Sequence, residues 1–210
     1  EGTLQARYIR GASGDKTYTL GKYESVRIRA SIAELAANGG APMGFYTRVK
    51  DPEARKVLTS YYGFLHQHDD LYHDNTSHAE ALLIFPRSAV HAGDLAPRDR
   101  FKQLGRKLLD EHVLFDILPD DMATPAVRKK YELVVDPNDT NVSAASMQKA
   151  LPAIRSRFDA PPTVRVSASR PARLDELTVH FVNYNRAERG EGGNPGGTIK
   201  DEKPIATKEF

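Results

Sequence analysis

Hydrophobic residues recur at different spacings along the chain and divide it into three blocks. The first block, residues 1–75, opens with a polar, glycine-rich stretch that ends at Gly21. Helical spacing of apolar residues then predicts a helix over about 23–37. The Asn-Gly-Gly sequence at 38–40 is a strong stop signal, because glycine tolerates the left-handed position that follows a helix end. A short apolar segment at 42–46 predicts a strand.

The clearest prediction in this block is a second helix over about 51–68. Asp51 is a good N-cap, and Pro52 suits the first helical turn. Apolar residues then repeat at helical spacing at Ala54, Val57, Leu58, Tyr61, Phe64 and Leu65. The order helix, short strand, helix is consistent with the last turns of a (β/α)8 barrel, and equally with the edge of any α/β fold.

The second block, residues 76–160, alternates strand and helix patterns. The unbroken apolar run Ala81–Phe85 is typical of a strand buried on both faces. Further strands are predicted at 113–118 and 131–135, and the intervening helices are marked by Phe101 to Leu109, by Thr124-Pro125 and by Ser143 or Ser146. This alternation predicts a parallel sheet with right-handed crossovers, and hence a small flavodoxin-like or amidotransferase-like layer domain.

The third block, residues 161–210, changes to a period of two. Apolar and polar residues alternate over 164–168 and 177–183, which predicts half-buried antiparallel strands and the start of a β-sandwich. A glycine-rich charged loop fills 187–203. We expect both termini to be cut points in a longer protein, because the chain starts at Glu1 rather than Met and ends in a strand-like segment.

Composition excludes several function classes. The 210 residues carry a net charge of only +2, which is too small to indicate a nucleic-acid partner. The absence of cysteine excludes disulfides, zinc–thiolate sites and a cysteine nucleophile. No apolar run approaches membrane-spanning length, and no glycine-rich nucleotide fingerprint or P-loop follows a strand. We therefore expect no nucleic-acid or membrane partner and no cofactor.

Two polar features favour plain structural roles. His66, His68, His73 and His78 cluster around Asp69 and Asp70, but no known zinc spacing fits them, so we predict a solvated helix end and no metal site. Ser88 follows the first strand of the second block, where open α/β sheets bind ligands, yet a loop serine is the favoured interpretation.

Glycoside hydrolysis needs a pair of carboxylates. Asp120 and Asp121 are adjacent, so their side chains are expected to diverge into a loop or helix cap. Glu24 and Glu34 fall on the first predicted helix and are expected to be exposed. Glu1 differs from these residues, because a barrel strand could end immediately before it.

Several segments carry a family resemblance across most of the chain. They are Gly21-Lys22-Tyr23 leading into 31–40, Tyr62-Gly63-Phe64-Leu65, Asp70-Leu71-Tyr72, 79–84, 113–121 and 178–184. With these segments in this order, the chain resembles the C-terminal part of β-galactosidase-like glycoside hydrolases of the family-42 type and their uncharacterised relatives.

The resemblance implies an architecture and an activity. Residues 1–75 would end a (β/α)8 catalytic barrel, 76–160 would form a flavodoxin-like trimerisation domain, and 161–210 would begin a truncated β-sandwich. The implied reaction is retaining cleavage of a carbohydrate substrate, with Glu1 as nucleophile and the acid/base residue upstream. Phe45 and Tyr46 would line the sugar site, and a homotrimer is implied. The family's cysteine-rich metal cluster is absent, and the layer domain is shorter than usual.

Two alternatives remain open at this point. The chain could be a non-catalytic relative that serves assembly or carbohydrate binding. It could also be a free-standing amidotransferase-like protein, although the lack of cysteine argues against that chemistry. The sequence leaves the compartment open between a secreted, a periplasmic and a cytoplasmic bacterial protein.

Overall fold

A computed structural model describes residues 2–14, 16–21, 28–43, 52–185 and 205–207. The first block contains a short parallel β-α-β unit flanked by helices. Its elements are α1 (Gly2–Ala12), β1 (Thr19–Gly21), α2 (Ile28–Ala37), β2 (Ala41–Met43), α3 (Pro52–Gln67) and α4 (Asp69–Tyr72). Strands β1 and β2 are parallel, with Thr19 opposite Ala41, and α2 connects them. Helix α3 confirms the predicted helix over about 51–68.

The second block forms a three-stranded parallel sheet in the order β5-β4-β6. This confirms the predicted strands and their parallel arrangement. The elements are β3 (Thr76–Ser77), β4 (Ala81–Phe85), α5 (Arg87–His91), α6 (Ala96–Asp110), β5 (Phe115–Pro119), α7 (Pro125–Arg128), β6 (Leu133–Val135), α8 (Ala144–Ala150) and a 3-10 turn (Leu151–Ala153). Because β4 is the central strand, Leu82, Leu83 and Ile84 are completely buried.

Helix starts in this block follow the sequence signals. Thr124 caps α7 by accepting a hydrogen bond from the Val127 amide. Ser143, rather than Ser146, is the N-cap of α8, and the two serines form a reciprocal capping box.

Strands β7 (Val164–Arg170) and β8 (Thr178–Asn183) pair antiparallel, as predicted. The short strand β3 joins them in the order β3-β7-β8, with Thr76 opposite Arg170. Strand β3 precedes the strands of the parallel sheet in the sequence, and β7 and β8 follow them, so the antiparallel sheet brings together segments that are distant in the sequence. The barrel end, the flavodoxin-like domain and the β-sandwich, with their boundaries, stay predictions.

Helix α1 is the main departure from the sequence analysis, which assigned only a polar, glycine-rich stretch to 1–21. The buried residues of α1 are Thr3, Leu4, Ala6, Arg7 and Arg10. Three of these five are polar, so the helix lacks the apolar stripe that normally reveals a core-facing helix. Glu34 is a second correction, because it is 1% exposed rather than on the surface.

The main core lies between the parallel sheet and helices α6 and α8. Leu83 of β4 and Leu108 of α6 are both completely buried there. Leu4 brings α1 into the same core, where its side chain lies against Gly105 of α6. No helix within the described ranges is both long and apolar enough to cross a membrane.

Two helical glycines should respond in opposite ways to replacement by alanine. A Cβ atom on Gly11 would overlap the carbonyl oxygen of Ile117 in β5, whereas a Cβ on Gly63 in α3 would meet no atom within 4 Å. We expect Gly11→Ala to lower the free energy of unfolding by about 1–3 kcal/mol through overpacking. Gly63→Ala should raise it by about 0.5–1 kcal/mol, because alanine is the better helix former.

Urea unfolding of both variants beside the unmodified chain measures the two changes. A destabilisation of the same size at both positions would contradict the close approach of α1 to β5.

Candidate functional site

A cavity of about 280 Å³ lies where α1, β5 and β7 meet. Its walls come from six separate parts of the chain. They include Arg7, Arg10, Gly11, Asn38, Ser77, His78, Asp116, Lys130, Tyr131 and Ser167. The backbone of β5 forms one side, from Phe115 to Leu118. Pockets for small molecules have volumes of roughly 300 Å³ or more, so this cavity has about the volume of the smallest ligand sites.

Arg7 forms the inner wall of this cavity. Its Nε donates to Asn38 Oδ1 at 3.0 Å, its Nη1 to the Phe115 carbonyl at 3.1 Å, and its Nη2 to the Val166 carbonyl at 2.7 Å. The guanidinium also lies 4.2 Å from the centre of the Phe115 ring, in cation–π geometry. One side chain of α1 thus contacts the end of α2, the parallel sheet and the antiparallel sheet.

Burial determines the electrostatics of Arg7. The pKa of Arg7 is lowered to about 10, mainly by its removal from water; Asp116 and Tyr184 act in the opposite direction, and the charges of Arg10 and Arg165 add to the lowering. At this pKa the guanidinium keeps its positive charge at neutral pH. The cavity therefore has a permanent cation in its wall.

Hydrogen bonds between buried polar groups also hold α1 and α2 together beside the cavity. Thr3 donates to the Glu34 carboxylate at 2.8 Å, and the Asn38 side chain donates to the Glu34 carbonyl at 2.7 Å. Tyr18 donates to the Asn38 carbonyl, and burial raises its pKa to about 12. These bonds fix Asn38 as the acceptor for Arg7.

Polar side chains line the other walls of the cavity. The Tyr131 hydroxyl donates a hydrogen bond to Asp116 Oδ2 at 2.8 Å, so the carboxylate in that wall already has a hydrogen-bond donor. The exposed Lys130 and the half-buried His78 also line the cavity, and neither side chain makes a hydrogen bond to the described residues. The wall therefore contains more cationic than anionic side chains.

None of the site residues implied by the family resemblance is among the described residues. Glu1, Phe45 and Tyr46 are all outside the described residues, and their roles stay predictions. Glu24 is also outside them. The strand that leads toward α2 is β1, which ends at Gly21, so α1 and β1 separate Glu1 from α2 along the chain.

The other candidate acids have structural roles. Asp120 accepts hydrogen bonds from the amide and hydroxyl of Ser88, at 3.2 and 3.0 Å. Asp121 pairs instead with Arg87. The two neighbouring carboxylates lie in the turn after β5 and contact two adjacent residues at the start of α5, so Ser88 serves to link α5 to this turn.

Part of the histidine cluster lines a second cavity, of about 370 Å³, beside β2 and α3. His66, Asp69, His73 and Asp74 all line this cavity, and His73 pairs there with Asp74 at 3.1 Å. Within the described ranges, no group of three or more histidine, aspartate or glutamate side chains is placed to hold a metal ion.

Sequence analysis missed the residues that line the Arg7 cavity. Arg7 lies more than a hundred positions before Asp116 and Lys130, and none of the three belongs to a recognisable motif. The available signal was weak, because Arg7 and Arg10 fall in a segment without an apolar stripe. Such a pattern is also that of a solvent-facing helix.

No protein-family model matches the chain, and no curated protein matches it. Among solved structures, the chain is similar to the α-L-fucosidase isoenzyme 2 of Paenibacillus thiaminolyticus, with a TM-score of 0.44 and 14% sequence identity. The similarity covers 86% of this chain and 34% of the fucosidase chain, so this chain spans about a third of the length of the structure it matches. That distant structural neighbour is a glycoside hydrolase.

Replacing Arg7 by methionine should strongly destabilise the fold. The change leaves the Phe115 and Val166 carbonyls and the Asn38 side chain without their donor, so we expect a loss of about 3–5 kcal/mol in the free energy of unfolding. Arg173→Met is the matched control, because Arg173 is exposed. Chemical denaturation measures both variants, and equal stability of the two would show that the Arg7 contacts contribute little.

His180 on β8 should make stability depend on pH. Its ring lies 5.5 Å from that of Tyr72, both ring nitrogens are buried without a hydrogen bond to the described residues, and burial lowers its pKa below the ordinary 6.5. As pH falls below the ordinary value, the unfolded chain takes up a proton that the folded chain resists. The stabilisation by the neutral ring is therefore present above that value and is lost on acidification.

His180→Phe keeps an aromatic ring against Tyr72 but removes this titration. The difference in unfolding free energy between the unmodified chain and the variant should change in favour of the variant between about pH 7.5 and pH 5. A difference that stays constant over that interval would mean that His180 is equally accessible to protons in both states.

Proposed function

We propose that this chain is the C-terminal part of a larger retaining, β-galactosidase-like glycoside hydrolase, with most of the active site in upstream sequence. The observation that carries the proposal is the succession α1, β1, α2, β2, α3, in which parallel strands alternate with helices. This succession is consistent with the last repeats of a (β/α)8 barrel, and the parallel sheet and the antiparallel sheet that follow it are compatible with the proposed further domains.

The β1–β2 pair supports an incomplete barrel. Within the described residues, this sheet has two strands of three residues each. Parallel strands are normally covered on both faces and occur in larger sheets, because two short strands bury too little apolar surface. Additional strands beside β1 and β2 would complete the sheet.

Helix α3 also exposes apolar side chains that a complete barrel would cover. Of its side chains that the structure describes, only Leu58 is buried, whereas Tyr62 is 37% and Phe64 is 52% exposed. A regular apolar stripe of this kind normally packs against a core. Residues of a complete barrel, or of a neighbouring subunit, would cover it.

The proposed chemistry is a double displacement. The carboxylate of Glu1 attacks the anomeric carbon while an acid upstream protonates the leaving oxygen, and the glycosyl–enzyme ester forms as the glycosidic bond breaks. Water, deprotonated by the same upstream residue, then releases the sugar and frees Glu1. Phe45 and Tyr46 are proposed to contact the sugar ring in both steps.

A second candidate is a non-catalytic module for assembly or carbohydrate binding. It is favoured by the apolar side chains of Leu177, Val179 and Phe181, which are 44%, 36% and 47% exposed in and next to β8. Neighbouring exposed apolar residues on one strand are typical of an interaction surface.

The test uses the full-length product of the gene that encodes this chain. We expect it to hydrolyse an aryl β-galactoside, or another member of a panel of aryl glycosides, with retention of configuration. Replacing Glu1 by glutamine should lower kcat by at least about a hundredfold, because the amide cannot form the glycosyl ester. Azide should restore turnover of an activated substrate by the Glu1→Ala variant.

Glu53→Gln is the matched control for Glu1→Gln, because Glu53 is exposed on α3, where it pairs with the exposed Lys56. It should leave kcat unchanged. A full-length protein that folds but cleaves none of the glycosides would refute the enzymatic proposal and leave the assembly or binding module. Activity that survives Glu1→Gln would remove Glu1 as the nucleophile.

A further inference from the structure

The Arg7 cavity has an excess of positive charge in its wall. Arg7, Arg10, Lys130 and His78 line it, and Asp116 is the acidic residue among its lining residues. The Asp116 carboxylate already accepts a hydrogen bond from Tyr131. An anion inside the cavity would therefore meet more donors and cations than acceptors.

Arg7 contributes most to this excess of positive charge, because it is buried. A buried charge is normally paired with an opposite charge, because desolvation is expensive. The three oxygens that accept from Arg7 are instead neutral: one side-chain amide and two backbone carbonyls. The guanidinium thus has no carboxylate in direct contact within the described part of the chain.

Arg7 also has donor capacity to spare. A guanidinium has five N–H groups, and each of its three nitrogens makes one hydrogen bond here, so two N–H groups, one on each terminal nitrogen, make none to the described residues. An N–H group of a guanidinium donates a strong, charge-assisted hydrogen bond to a carboxylate or an oxyanion. Each of the two available N–H groups of Arg7 can therefore donate to an anionic group bound in the cavity.

The other lining residues add mobile and polar donors. Lys130 is exposed, and its side chain makes no hydrogen bond to the part of the chain that the structure describes, so its ammonium group can turn toward a ligand at the opening of the cavity. Ser77 and His78 also line the cavity. A site of about 280 Å³ with these donors fits one compact polar molecule.

We propose that this cavity binds a small anionic ligand through a carboxylate, sulfate or phosphate group, with Arg7 as its buried cation and Lys130 at its opening. The proposal is independent of glycoside hydrolysis and stands or falls on binding alone. It predicts that the ligand group sits among α1, β5 and the α7–β6 connection.

Binding is measured on the intact chain by calorimetric titration and by thermal unfolding, with sulfate, phosphate and citrate as separate probes. Sodium chloride keeps the ionic strength constant, which cancels general screening. Galactose is the neutral control. We expect saturable binding and a rise in Tm with at least one of the three anions, and no change with galactose. The anion that binds best distinguishes a carboxylate ligand from a sulfate or phosphate ligand.

Lys130→Glu and Lys129→Glu form a matched pair for locating the site. The two lysines are adjacent and exposed, but only Lys130 lines the cavity. We expect Lys130→Glu to raise the Kd of the bound anion by roughly fivefold, and Lys129→Glu by less than about twofold, as for exposed charge pairs at different distances. Circular dichroism checks that both variants fold, which their surface positions favour.

Three results would overturn the proposal. The first is the absence of saturable binding by all three anions at constant ionic strength. The second is an equal loss of affinity in the two lysine variants, which would show attraction to general surface charge. The third is a galactose effect as large as that of the anions.

Discussion

The structure depends most on the burial of Arg7. Its guanidinium donates to oxygens that belong to α2's end, to β5 of the parallel sheet and to β7 of the antiparallel sheet. Because hydrogen bonds are short and directional, these three acceptors can be satisfied together only when both sheets and both helices hold one relative position. Removal of the charge from water opposes folding, and the carbonyl dipoles and the Phe115 ring offset that cost.

A second buried polar pair supports this arrangement from within the helices. Glu34 accepts from Thr3 of α1, and its backbone carbonyl accepts from Asn38, which in turn accepts from Arg7. Thr3, Glu34 and Asn38 thus each have a hydrogen-bond partner, and such buried polar networks favour a single packing. The close approach of Gly11 to the Ile117 carbonyl then lets α1 lie against β5 without a side chain between them.

The elements that could be predicted are those whose signals are local. The apolar run of β4, the capping serine of α8 and the Pro52 start of α3 each depend on a few neighbouring residues. Helix α1 could not be found in this way, because its buried face contains Thr3, Arg7 and Arg10, and hydropathy assigns such residues to solvent. The hydrogen-bond acceptors of Thr3, Arg7 and Arg10 lie as far as 31, 159 and 65 positions away in the sequence. A local sequence pattern therefore cannot reveal them.

The candidate site was beyond prediction for the same reason. Its lining residues come together only after the two sheets have assembled around α1, and the resemblance to glycosidases directed attention to Glu1, Phe45 and Tyr46 instead. The site also has an energetic consequence that a surface site would lack. Because Arg7 both holds the sheets together and faces the cavity, an anion that neutralises it would bind the folded chain and not the unfolded one. At a ligand concentration a hundred times its Kd, such linkage stabilises a fold by about 2.7 kcal/mol. The cost of the buried cation would then be relieved by occupancy, so this part of the fold is at its most stable with the cavity filled.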